Sequence, residues 1–179
     1  MKSGILLFIF CFSLTVVGQD IKQTTEQIIE NVFGGDVNFS YEKYSIPPDV
    51  KSAIEIKSSQ KFFGNEIYLF KIIKSGKLLS IGLMDNVYGK ELPITFIVFY
   101  DSSGKIISSN IVKYREAYGG AVQNESWNKQ FKGKNSESGF SVGKDISGIS
   151  GATISVKSVT AGVKKLTLLF NIIREQVWK

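Results

Sequence analysis

Histidine is absent from the 179-residue sequence, and cysteine occurs once, at Cys11. These two absences exclude histidine-based catalytic triads, zinc sites of the usual ligand types, c-type haem attachment and Cys-ligated iron–sulfur clusters. No disulfide can form within the chain, and no metal site is expected. Redox chemistry, if the protein performs any, must be carried by an organic cofactor. Runs of like charge are also missing. The 22 Lys and Arg against 16 Asp and Glu leave a net +6, with no run of five charges of one sign. Such a spread surplus suits an anionic surface, a membrane or an acidic partner, and gives no support to nucleic-acid binding. An apolar content of 43% is that of a globular chain.

What is present begins with a short apolar segment. Lys2 precedes an almost unbroken apolar run from Ile5 to Val17, and Gly18-Gln19-Asp20 returns to polar sequence. The pattern predicts a secretory signal peptide over residues 1–19 and one domain over 20–179. The run is shorter than the ~20 residues that span a bilayer comfortably. Cys11 sits within Ile9-Phe10-Cys11-Phe12, which lacks the small residues expected directly before a lipoprotein cysteine, so lipidation is not expected. The remaining domain would hold no cysteine and a side-chain charge of 21 minus 16, or +5. Export to the periplasm or the outer face of a membrane follows.

Periodicity predicts an α+β domain: an antiparallel sheet of about four to five strands with an N-terminal helix and a long C-terminal helix packed on it. Ile21, Ile28, Ile29, Val32 and Phe33 trace a helical stripe ended by Gly34-Gly35. Pro47-Pro48 is read as breaking any regular element between there and residue 67. Residues 67–73 and 78–84 read as a hairpin joined by Lys74-Ser75-Gly76-Lys77. Strands are also expected over 94–100 and 105–114, separated by Asp101-Ser102-Ser103-Gly104. Val156, Val159, Val163, Leu166, Phe170 and Ile173 recur in steps of three and four, so they predict the core-facing side of the last helix. Lys157, Lys164 and Lys165 are expected to be solvated.

Just before that helix lies Ser150-Gly151-Ala152-Thr153-Ile154-Ser155. A glycine-relieved turn that presents hydroxyls at a helix N-terminus offers free N–H groups and the positive dipole end, which suit a phosphate. The alternative is that Ser150 or Ser155 caps the helix while Gly151 eases the turn.

Upstream stand Tyr114-Arg115-Glu116-Ala117-Tyr118-Gly119-Gly120 and Trp127-Asn128-Lys129-Gln130-Phe131-Lys132-Gly133-Lys134. With the Ser-Gly-Ala-Thr turn, and in the same order, they resemble the FMN-binding domain family from about Leu79 to Ile173. That family includes the C subunit of the sodium-pumping NADH:quinone reductase, the G subunit of the Rnf complex, and the flavin domain of nitrous-oxide reductase regulators. The resemblance implies FMN joined by a phosphoester to Thr153, made by a separate flavin transferase. It also implies an extracytoplasmic electron carrier with a membrane or periplasmic redox partner. By position, Ser150, Gly151, Ala152 and Ser155 would surround the phosphate, and Glu116, Tyr118, Gly119 and Gly120 would approach the flavin ring. Tyr118 is open between stacking on the flavin and lying partly buried in its loop; Glu116 is open between a site role and a surface ion pair. Trp127 and Phe131 are read as packing residues, and no catalytic acid–base or nucleophilic set is found. A module that binds FMN without a covalent bond, or serves assembly with no flavin, is the first rival, and a flavin-dependent reductase is the second. One departure bears on the first rival. Ser147 stands where the family usually has an aspartate, so either the loop shifts register to present Asp145 or covalent loading is inefficient or absent.

Overall fold

The computed structural model describes the backbone of residues 13–179 and the side chains from Asp20 onward. The expected signal segment lies outside the described residues, apart from the backbone of 13–19, which is helical and continues into the next helix. No helix among the described residues is long and apolar enough to cross a membrane.

Helix α1 (Ser13–Phe33) is followed by strand β1 (Val37–Ser45), helix α2 (Pro48–Ser58), and strands β2 (Glu66–Lys74), β3 (Lys77–Tyr88), β4 (Pro93–Tyr100) and β5 (Ile106–Lys113). A one-turn helix α3 (Glu125–Asn128) lies between two 3₁₀ turns, and helix α4 (Thr153–Val177) closes the chain. The five strands pair antiparallel in sequence order, which gives the expected α+β architecture. β2 and β3 are joined by the two residues Ser75 and Gly76, both at positive φ (50° and 75°). Such a backbone matches the right-handed twist of the strands it joins.

Two elements depart from the expectation. β1 carries no clear strand signal, because its burial alternates only weakly and its middle is exposed. It is an edge strand, and Glu42 and Lys43 keep it soluble. Pro47-Pro48, read as a breaker, instead starts α2: Pro48 occupies the first turn, where a missing N–H costs nothing.

The sheet is covered on both faces. α4 and α2 lie on one side, over Leu69, Ile81, Leu83, Phe96 and Val98. α1 lies on the other, where Ile21, Ile28, Ile29 and Phe33 meet Phe70, Ile72, Ile97 and Phe99. All six α4 stripe residues are buried, each worth about 1.5–3 kcal/mol before entropy is set against it. Gly162 lets α4 approach closely, since a Cβ there would lie 2.7 Å from Val87 and 2.8 Å from Phe96.

Lys165 corrects the reading of a solvated lysine. It is fully buried beneath α2, with its ammonium 2.7 Å from the Asp85 carboxylate and 2.9 Å from the Lys61 carbonyl, over the Phe62 ring. Burial pushes its pKa below the ordinary lysine value, and the charge of Asp85 opposes that shift. Lys157 is exposed and Lys164 half-buried.

Candidate functional site

The segment after β5 and the segment before α4 meet at one end of the sheet. Gly119, at φ 82°, brings the first against the second: a Cβ there would lie 2.8 Å from the Tyr114 hydroxyl and 2.9 Å from Ser155 Oγ. Tyr114 clasps both sides. Its hydroxyl donates to the Tyr118 carbonyl and shares a 2.9 Å hydrogen bond with Ser155 Oγ. The result is an open cleft of about 550 Å³, bordered by Lys90–Leu92, Arg115–Gly119 and Gly151–Ser155.

Thr153 is the first residue of α4 and is exposed in this cleft. The residue before the helix is Ala152, and no side chain caps it. Neither Ser150 nor Ser155 therefore acts as a cap. The N–H groups of Ala152 and Val156 are engaged, by Ile149 and Ala152 carbonyls at 3.1 Å and 2.9 Å. Helix geometry leaves those of Thr153, Ile154 and Ser155 without intrahelical partners. Three donors thus remain open at the start of α4, beside the exposed Thr153, with the helix dipole behind them. Gly151 sits at φ 76° with nothing within 4 Å of a Cβ position. Its glycine answers a left-handed turn rather than a close approach.

The remaining candidates surround this turn. Glu116 borders the cleft, but its Oε1 accepts hydrogen bonds from the N–H groups of Glu91 (2.7 Å) and Leu92 (3.0 Å). These bonds, that from Glu91 foremost, hold its carboxyl below the ordinary value. It thus fixes the β3–β4 loop against the cleft, packed on Gly89, where a Cβ would lie 2.4 Å from Oε1. Its partners are backbone groups, not Arg115, whose guanidinium instead donates to the Pro93 carbonyl (2.9 Å) and Thr95 Oγ1 (3.0 Å). Tyr118 is 86% exposed at the mouth, so it is not a partly buried loop aromatic. Gly120 starts the 3₁₀ turn that follows and Ser150 is exposed; both lie just outside the cleft wall.

Trp127 and Phe131 are packing residues, buried with their rings edge to face at 5.3 Å. Trp127 also positions the turn: its indole N–H donates to the Ser147 carbonyl at 2.8 Å, while the Ser147 N–H donates to Gln130 Oε1 at 2.8 Å. The Asp145 carboxylate accepts from the Ser141 N–H at 2.9 Å and packs on Gly139. It is held within its own loop rather than presented toward Thr153. Sequence reasoning left Lys90, Glu91, Leu92, Arg115, Ala117 and Ile154 out of the candidate site, although all of them border the cleft. Only the pairing of β3 with β4, which carries residues 90–92 to this end, could have found the first three.

The FMN-binding domain family matches residues 89–167, which span every segment of the cleft. No curated protein matches the chain. Among solved structures, the crystal structure of Shewanella oneidensis NqrC is 15% identical, with a TM-score of 0.59, over 89% of this chain and 98% of that one. The C subunit of the Na(+)-translocating NADH-quinone reductase from Parabacteroides distasonis is 16% identical, with a TM-score of 0.49, over 88% and 98%. The Shewanella likeness is one of fold, across nearly the whole of both chains. The family match covers the segment that builds the cleft, and there this chain resembles the FMN-binding domain family.

Proposed function

We propose that the protein is an extracytoplasmic FMN-dependent electron carrier whose flavin is joined through its phosphate to Thr153. The observation that carries this reading is the convergence of three separated segments on one exposed hydroxyl at an uncapped helix N-terminus. The residues present fit the group. A phosphodiester keeps one negative charge, for which the N–H groups of Thr153, Ile154 and Ser155 are the natural donors. Lys90 also borders the cleft, with the Glu91 carboxylate 3.8 Å from its ammonium. Tyr114 holds Ser155 and the 118–119 backbone so that the cleft stays open beside Thr153. Glu116 keeps the 90–92 loop in place as the far wall, and Tyr118 stands at the mouth. Bound FMN would supply one- and two-electron transfer, and the chain would orient it and set its surroundings. A separate flavin transferase would make the ester, and a membrane or periplasmic protein would exchange the electrons. The expected signal segment and the similarity to NqrC, a subunit of a reductase, support that setting.

The test is intact-protein mass spectrometry after export with an active flavin transferase. Added mass equal to an FMN residue, mapped to the peptide holding Thr153, is the expected outcome. Thr153→Val should remove it while the domain stays folded. Flavin attached in full to that variant would refute the assignment to Thr153.

One observation favours a second reading, in which FMN binds without a covalent bond. Ser147 stands in place of the usual aspartate, and the Asp145 carboxylate is held by Ser141. An unmodified mass beside a fully loaded control substrate, with saturable binding of free FMN, would select that reading.

A further inference from the structure

On the opposite face of the sheet, beneath α1, lies a second cavity of about 410 Å³. This is within the size range of small-molecule sites. Its wall is aromatic. Tyr41 lies 5.5 Å from Phe70 and 6.3 Å from Tyr68, ring to ring, and Phe39 lies 6.4 Å from Phe70. Tyr41 and Tyr68 are 54% and 43% exposed although they stand on adjacent strands of a packed sheet. The Tyr41 ring lies within 31° of the Phe70 plane, whereas Tyr68 stands at 65° to Tyr41, so a flat molecule can stack on Tyr41 with Tyr68 edge-on beside it.

One end of the cavity is polar, and its hydrogen bonds run in one direction. Thr95 Oγ1 donates to Asn86 Oδ1 at 2.6 Å and accepts from Arg115 Nη1 at 3.0 Å. The acceptor atoms of this group are thereby engaged. The Asn86 amide nitrogen and the remaining guanidinium N–H groups keep no protein partner among the described residues. The charges agree. Every carboxylate bordering the cavity has a cation within 4.0 Å: Glu26 has Lys22 at 3.9 Å, Glu66 has Lys43 at 3.3 Å, and Asp85 has Lys165 at 2.7 Å. Arg115 has no carboxylate partner among the described residues. A planar guanidinium in that state is suited to a carboxylate, which it can hold by two parallel bonds.

We propose that this cavity binds a small planar aromatic carboxylate, its ring stacked on Tyr41 against the edge of Tyr68 and its anionic end on Arg115 and Asn86. The site is separate from the cleft at Thr153, though Arg115 borders both. It stands whether or not FMN is attached. The test is calorimetric titration of the full chain with 2-naphthoate, beside the neutral 2-naphthalenemethanol, and backbone amide shifts to place the ligand. One site is expected, with shifts centred on β1, β2 and the Met84–Asn86 stretch of β3. Arg115→Gln should weaken 2-naphthoate at least tenfold and leave the neutral analogue within about threefold. Tyr41→Ala should weaken both. Should Arg115→Gln not fold, Asn86→Asp serves instead: it can still accept from Thr95 while setting a negative charge beside Arg115, and should exclude 2-naphthoate. Absent binding, equal affinity in the charge variants, or shifts centred on Gly119 and Thr153 would overturn the proposal.

Discussion

Among the site residues, Gly119 does two things at once. Its φ of 82° lies where L side chains are strained, and its missing Cβ leaves room for Tyr114 and Ser155 at under 3 Å. Gly119→Ala therefore combines a backbone cost of about 1–3 kcal/mol with a clash that parts the two walls of the cleft. Urea unfolding should show a loss of that order. A variant as stable as the native protein would mean that the loop has another conformation of equal energy. The turn at Gly151 and the helix start at Thr153 were legible in the sequence because a Gly followed by hydroxyls ahead of an apolar stripe marks a helix start, although the same residues fit a phosphate turn or a serine cap. Tyr114 was not legible as the clasp. Its partners, Tyr118 and Ser155, are brought to it by a turn and by a contact 41 residues away. The absence of a cap on α4 was likewise hidden, because serines on either side of a helix start look the same whether or not they bond to it.

Among the elements, α4 shows how a correct periodicity can still mislead about one residue. The stripe from Val156 to Ile173 finds the sheet-facing side, and its width is set by α2, which covers a second flank. Lys165 lies under that flank. Nothing in the spacing marked α2, because Pro47-Pro48 reads as a break as readily as a start and its apolar pattern is short. The Lys165–Asp85 pair is buried on both sides (0% and 4% side-chain exposure), so its loss is asymmetric. Lys165→Met should cost about 3–5 kcal/mol, because it leaves the Asp85 carboxylate buried without a partner. Asp85→Leu added to it should recover most of that loss, since paired apolar replacements of a buried ion pair are often neutral. Two urea midpoints measured side by side decide it. A double variant no better than the single one would show that the Lys61 carbonyl and Phe62 contacts, rather than the pair, fix α2 on α4.

At the scale of the whole molecule, acid should loosen the fold from its loops inward. Three carboxylates sit below their ordinary pKa values. Asp36 is lowered by its hydrogen bond from Lys74, and Glu116 by the N–H groups of Glu91 and Leu92. At Asp101 burial pushes upward, but hydrogen bonds from Ser103 and Lys105 outweigh it. These groups hold three connections: the start of β1 against β2, the 90–92 loop at the cleft, and the β4–β5 turn. A carboxylate with a lowered folded pKa binds its proton more weakly in the native state than in the unfolded chain. Its contribution is thus complete above the unfolded value, about 3.9 for Asp and 4.3 for Glu, and is lost as pH falls through the lowered native one. The chain holds no histidine, the side chain whose ordinary pKa falls between there and neutrality. Thermal unfolding should therefore hold a plateau from about pH 7 to pH 5 and fall below it. Glu116→Gln should flatten part of that fall and, in amide exchange, release residues 90–92 at neutral pH. A fall already under way between pH 6 and 7 would contradict this assignment, since it would require a titrating group other than these three carboxylates.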